Sequence, residues 1–141
     1  MTTKEKNYVV NVIEINALEM KIFIKEIKRI WAALGFSFEG LKAAIMSEAA
    51  FQIEVVLLII LVPLALWLPA DVIQKIFLIE SMMLVLVIEL INVAIETSVN
   101  YISQERHPLA KKIKDVASAA VFICIINCIC MWSWVLWTIL F

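Results

Sequence analysis

The chain has 141 residues, of which 64% are hydrophobic and 18% charged, against roughly 45–50% apolar and about 25% charged in an ordinary soluble domain. That excess argues against a soluble monomer. The net charge of −1, from 12 basic and 13 acidic residues, gives no basic surplus for nucleic acid. The two glycines, Gly35 and Gly40, cannot build a phosphate-cradling or dinucleotide-binding glycine loop.

The first dozen residues carry little pattern and are expected to be frayed. From Met20 onward, Phe23, Ile27, Ile30, Trp31 and Leu34 recur at three- and four-residue steps, with Lys21, Lys25, Lys28 and Arg29 on the other side. This spacing predicts an amphipathic helix lying on a membrane surface. Gly35, Phe36 and Ser37 are expected to break it, with Ser37 as a cap or turn residue. A second helical stretch over 41–47 then leads into the membrane. No signal peptide with a cleavage site precedes the first apolar run.

Three stretches are long enough to cross a hydrocarbon core, which needs about 20 residues: 49–68, 72–99 and 117–141. The chain therefore divides into an interfacial segment, 1–48, and a three-helix transmembrane domain, 49–141. Pro63 falls inside the first span, where neighbouring membrane helices can accommodate a kink. Pro69, Ala70 and Asp71 form a tight turn. The third span has no charged side chain from Ser118 onward, and Trp132, Trp134 and Trp137 lie toward one end, as at a membrane interface. Cys124, Cys128 and Cys130 all lie in that run and read as packing residues. Ala117, Ala119 and Ala120 offer a small surface for close helix contact. Residues 1–48 hold seven Lys/Arg, and the second connection adds Arg106, Lys111, Lys112 and Lys114. The N-terminus and loop 100–116 are thus expected in the cytoplasm and the C-terminus outside.

An ionisable side chain at bilayer depth costs about 2.5–3.5 kcal/mol on insertion scales, so each one in a span is a functional candidate. The second span carries Lys75, Glu80, Glu89 and Glu96, with Asn92 between the last two. At helical pitch Glu89, Asn92 and Glu96 fall within about 60° of arc and run about 10 Å along the axis. Glu80 lies about 180° from Glu89 on the opposite face. Glu48 stands at the cytoplasmic end of the first span, and Lys114, Asp115 and Ser118 at that of the third. Two carboxylates near the surface suit Mg²⁺ shared with nucleotide phosphates, and Lys114 suits a phosphate. Glu89, deeper and less solvated, makes a usable general base for a hydroxyl substrate held in the bilayer. A lone intramembrane Asn or interfacial Glu can equally serve only to hydrogen-bond a neighbouring helix. Snorkelling or packing accounts for Glu54 and Lys75, and His107 reads as a solvated loop residue. A small ion-coupled transporter or a noncatalytic assembly subunit would also explain membrane carboxylates, but neither calls for the lysine beside them.

Four ordered motifs resemble the bacterial integral-membrane diacylglycerol kinases: RIWAALGFSFEGLKAA at 29–44, SEAAFQIE at 47–54, IELINVAIE at 88–96 and KDVASAA at 114–120. The resemblance implies an all-α membrane protein with an N-terminal amphipathic surface helix and three transmembrane helices. It further implies assembly as a homotrimeric bundle in the bacterial inner membrane, with active sites shared between subunits. The activity implied is transfer of the ATP γ-phosphate to diacylglycerol, with undecaprenol as the alternative lipid. On that likeness Glu89 is the catalytic base, and Glu48 and Glu96 hold Mg²⁺ and nucleotide. Arg29, Phe36, Glu105, Arg106, His107, Lys114 and Asp115 contact ATP, and Ala33, Ser37, Glu54, Asn92, Ser118 and Trp132 line the lipid side. Asn100 stands where the family commonly carries an acidic residue, Arg106 where it often has an aromatic, and Phe36 where Tyr is frequent. The segment 1–20 and Glu80 are also unusual for it.

Overall fold

The computed structural model describes residues 3–102 and 107–141, with side chains described from residue 18 on. Four helices follow in chain order: α1 (Thr3–Ser47), α2 (Ala49–Trp67), α3 (Val72–Ile102) and α4 (Pro108–Leu140). The last three are long and apolar enough to cross a membrane. The chain divides into two units, Met1–Ala43 and Ala44–Phe141.

In the N-terminal unit α1 is continuous. The expected break at Gly35 does not occur, nor does the fraying of the first dozen residues, which are helical from Thr3. A helical glycine costs about 1 kcal/mol relative to alanine, which two flanking turns of good helix formers tolerate. No glycine adopts positive φ. Ser37 does not cap; its hydroxyl donates back to the Ala33 carbonyl at 2.9 Å, so its polar group is satisfied inside the helix. Met20, Phe23, Ile30 and Trp31 are all exposed on this unit.

The second unit is built around α3, which packs against both α2 and α4. One non-helical residue, Glu48 (φ −116°, ψ 110°), separates α1 from α2. Its backbone stays in the ladder on both sides, Glu48 N–H donating to Ala44 O at 3.0 Å and Gln52 N–H to Glu48 O at 3.1 Å. Helix α2 runs unbroken through Pro63. The short α2–α3 connection falls where expected, and its chemistry is specific. Asp71 Oδ1 accepts from the Gln74 backbone N–H at 3.0 Å, while Gln74 Oε1 accepts from the Asp71 N–H at 3.1 Å. This reciprocal capping box satisfies donors that a helix start leaves unpaired. Gln74 also donates to Thr138 Oγ1 at 3.0 Å, tying the start of α3 to the end of α4.

Two apolar clusters hold the unit. Ala44, Phe51 and Leu86 pack near the α1–α2 junction, and Ala65, Leu78 and Val135 near the α2–α3 connection. Trp132 packs on the second cluster and is half-buried, whereas Trp134 and Trp137 are exposed. Its side chain belongs inward because α4 turns that face toward α3. Of the three alanines expected to form a close-packing surface, only Ala117 is buried, with Val121 one turn on. Ala119 sits on another side of the helix and is exposed. Most other large side chains of the spans, including Ile59, Ile73 and Phe122, face outward, as hydrocarbon solvent permits.

Candidate functional site

Helical periodicity places the acidic stripe of α3 as expected. Glu89 is only 5% exposed, Asn92 and Glu96 are half-buried, and Glu80, on the far face, is exposed. Glu89 is close enough for its charge to interact with those of Glu96 and Glu48, and Glu54 of α2 is in turn within such reach of Glu89. Three carboxylates, Glu48 at the α1–α2 junction, Glu54 of α2 and Glu96 of α3, thus lie within charge reach of Glu89. Like charges gathered in a weakly solvated place call for a proton or a cation between them.

Glu54 is half-buried on α2. One of its carboxylate oxygens, Oε2, is buried with no hydrogen-bond partner, as are Asn92 Oδ1 and Trp132 Nε1. Buried polar atoms are rarely left unpaired, and such exceptions call for a ligand, a partner or water. Glu54 and Trp132 both line one apolar groove of about 640 Å³ between α2, α3 and α4, whose walls include Leu57, Met82, Val85 and Ile129. Cys128 also lines it and accepts from the Ser81 hydroxyl at 3.6 Å; it, Cys124 and Cys130 are all free thiols.

At the start of α4 the expected phosphate and nucleotide groups take particular partners. Lys114 Nζ donates to Asn100 Oδ1 at 2.6 Å. Asp115 is engaged by Lys111 of its own helix at 2.5 Å, and Ser118 is exposed. His107 is exposed and outside the helix, as expected, and it also caps α4: its Nδ1 accepts from the Leu109 N–H at 3.2 Å, and Pro108 follows it at the first helical position. Glu105 and Arg106 lie outside the described residues. In the N-terminal unit Arg29 Nη1 donates to both oxygens of Glu26 at 3.1 and 3.0 Å; Ala33, Phe36 and Ser37 are exposed on the same unit.

Among the described residues no three His, Cys, Asp or Glu side chains converge tightly enough to hold a metal ion unaided. Glu48 and Glu96, both acting on Glu89, still supply oxygen donors of the right kind. Mg²⁺ is commonly held by one or two carboxylates, with phosphates and waters completing its shell. The residues therefore fit an ion that arrives with a nucleotide.

The sequence profile described as "Prokaryotic diacylglycerol kinase" matches residues 35–136. The chain belongs to the prokaryotic diacylglycerol kinase family. It is 44% identical over 110 residues to the diacylglycerol kinase of Escherichia coli strain K12, covering 78% of this chain and 90% of that protein. The diacylglycerol kinase of Pseudomonas aeruginosa is 40% identical over 110 residues, 78% of this chain and 89% of the relative. That of Helicobacter pylori strain 26695 is 43% identical over 109 residues, 77% and 85% respectively. The family match spans α2, α3 and most of α4, and so includes the carboxylate cluster, the groove and Lys114.

Two contacts in this diacylglycerol kinase family member were not signalled by residue type or spacing. The packing role expected for Lys75 takes a specific form: its Nζ donates to the Leu66 carbonyl at 2.8 Å, closing one of the free acceptors at the end of α2. Asn100, noted in the sequence only as a departure, is the partner of Lys114. A polar residue four positions past the stripe is the one signal that could have drawn attention to it.

Proposed function

We propose that the protein is an ATP-dependent lipid kinase that transfers the γ-phosphate to the hydroxyl of diacylglycerol, giving phosphatidate. The observation that carries this reading is the double membership of Glu54, which lines the apolar groove and also lies within charge reach of buried Glu89. A lipid chain in the groove would bring its hydroxyl end to the carboxylates.

In this reading Glu89 accepts the hydroxyl proton as the lipid oxygen forms its bond to the γ-phosphorus and the bond to the β,γ-bridging oxygen breaks, releasing ADP. Such transfer is mostly positioning and charge stabilisation, so a few side chains suffice without a glycine loop. Glu48 and Glu96 would hold Mg²⁺, which offsets phosphate charge when bound. Lys114 contacts the polyphosphate, with Asp115, His107, Glu105 and Arg106 nearby in sequence on the nucleotide side. Asn92, Ser118, Glu54 and Trp132 face the lipid. Arg29 and Phe36 add nucleotide contacts, and Ala33 and Ser37 lipid contacts, from a surface-lying α1 whose exposed apolar residues rest on the bilayer. Assembly as a homotrimer covers part of the exposed span surface and shares sites between subunits. The basic segments support a cytoplasmic N-terminus and loop 100–116 with the C-terminus outside, in the bacterial inner membrane.

The test is transfer of labelled γ-phosphate from Mg·ATP in lipid micelles, with diacylglycerol and undecaprenol offered separately. Labelled phosphatidate is the expected product. Preference for undecaprenol would overturn the substrate and keep the reaction, whereas no transfer to either lipid by folded protein would overturn both.

A further inference from the structure

Three lysines open α4, and the fold treats them differently. Lys111 is matched by a carboxylate, Asp115, one turn along its own helix. Lys112 is exposed. Lys114 is half-buried, and its ammonium donates to the side-chain oxygen of the exposed Asn100 at 2.6 Å, across the α3–α4 connection. Asn100 lies four residues past Glu96, hence on the same side of α3 and about 6 Å further along its axis. Lys114 is therefore held one helical turn from the end of the acidic stripe.

The chemistry of that partner matters. An amide oxygen can orient an ammonium but carries no charge to neutralise it, and an ammonium has three donors. The contact with Asn100 occupies one. A carboxylate at position 100 would have nearly the same shape and make the same hydrogen bond, but it would compete with any anion for the lysine. Asn and Asp thus separate two roles that a simple helix staple would not distinguish.

We infer that Asn100 is a positioning residue for nucleotide binding: its neutral side-chain oxygen fixes Lys114 while leaving the whole positive charge available to a polyphosphate. This rests on Lys114 being the phosphate contact. The role is electrostatic as well as steric, because the amide holds the ammonium without adding a negative charge beside it.

The experiment compares full-length wild type, Asn100→Asp, Asn100→Ala and Lys114→Met in lipid micelles, measuring KM for Mg·ATP, KM for diacylglycerol, kcat and thermal unfolding. Asn100→Asp is expected to raise the ATP KM about tenfold, an effect that shrinks in high salt. Its lipid KM and kcat should stay within about twofold of wild type, and its unfolding temperature should not fall. Asn100→Ala should raise the ATP KM by a smaller factor, since it frees the lysine without neutralising it. An unchanged ATP KM in Asn100→Asp, with a raised one in Lys114→Met, would reduce Asn100 to a staple and overturn the inference alone. A general loss of stability and of every kinetic parameter in Asn100→Asp would do the same. An unchanged ATP KM in Lys114→Met would overturn the phosphate-contact reading and this inference together.

Discussion

Replacing Glu89 by Gln removes one function from the centre of the site while changing almost nothing else. The side chain is 5% exposed on the inward face of α3, and Gln has nearly the same volume, so packing around it is kept. The amide also relieves repulsion with Glu48, Glu54 and Glu96, all linked to it by charge, so the variant should be at least as stable as wild type. On the proposed mechanism, what it loses is the acceptor for the hydroxyl proton. A positioned general base contributes about 10²–10⁴ in rate, corresponding to about 3–5 kcal/mol of transition-state stabilisation. Transfer of labelled phosphate from Mg·ATP to diacylglycerol should fall by at least about 100-fold, with nucleotide binding retained because the proposed phosphate contact, Lys114, is kept. Turnover within about tenfold of wild type would refute the assignment of Glu89 as base.

Three further outcomes follow from the same geometry. Glu96→Gln removes a carboxylate at the shallow end of the stripe and should raise the Mg²⁺ concentration needed for half-maximal activity; an unchanged Mg²⁺ titration would exclude it from the metal site. Trp132→Phe keeps the ring in the groove but deletes the unpartnered Nε1 donor. It should raise the lipid KM about fivefold, the loss of one hydrogen bond of about 1 kcal/mol, with the ATP KM unchanged. Asp71→Ala breaks the capping box at the start of α3, far along the helix from Glu89, and should cost about 1 kcal/mol in unfolding measurements while leaving turnover at room temperature intact.

The second span shows how far periodicity reaches. A helix has a fixed angle per residue, so the spacing of Glu80, Glu89, Asn92 and Glu96 alone separates an inward stripe from an outward carboxylate, and the buried Glu89 and exposed Glu80 agree with it. Hydropathy locates the same span but not its ends. The structure carries α3 on to Ile102 and starts α4 at Pro108, because helical hydrogen bonding continues into polar residues that a search for apolar runs leaves out. At Gly35 local propensity misleads outright, since a mild preference against helix is overridden by the residues on either side.

Three long apolar runs, their connections, the sidedness of the acidic stripe and the family motifs were determined by the sequence itself, because composition and helical pitch are properties of a single segment. Which side chain from another segment stands opposite was decided only by the tertiary structure. Glu54 becomes part of both groove and carboxylate cluster, Trp132 turns inward, Lys75 closes the end of α2, and Asn100 receives Lys114. Each of these pairings joins residues through the packing of α2, α3 and α4 or through the closure of a connection. No repeat within one helix encodes such a meeting; it exists only once the helices are in contact.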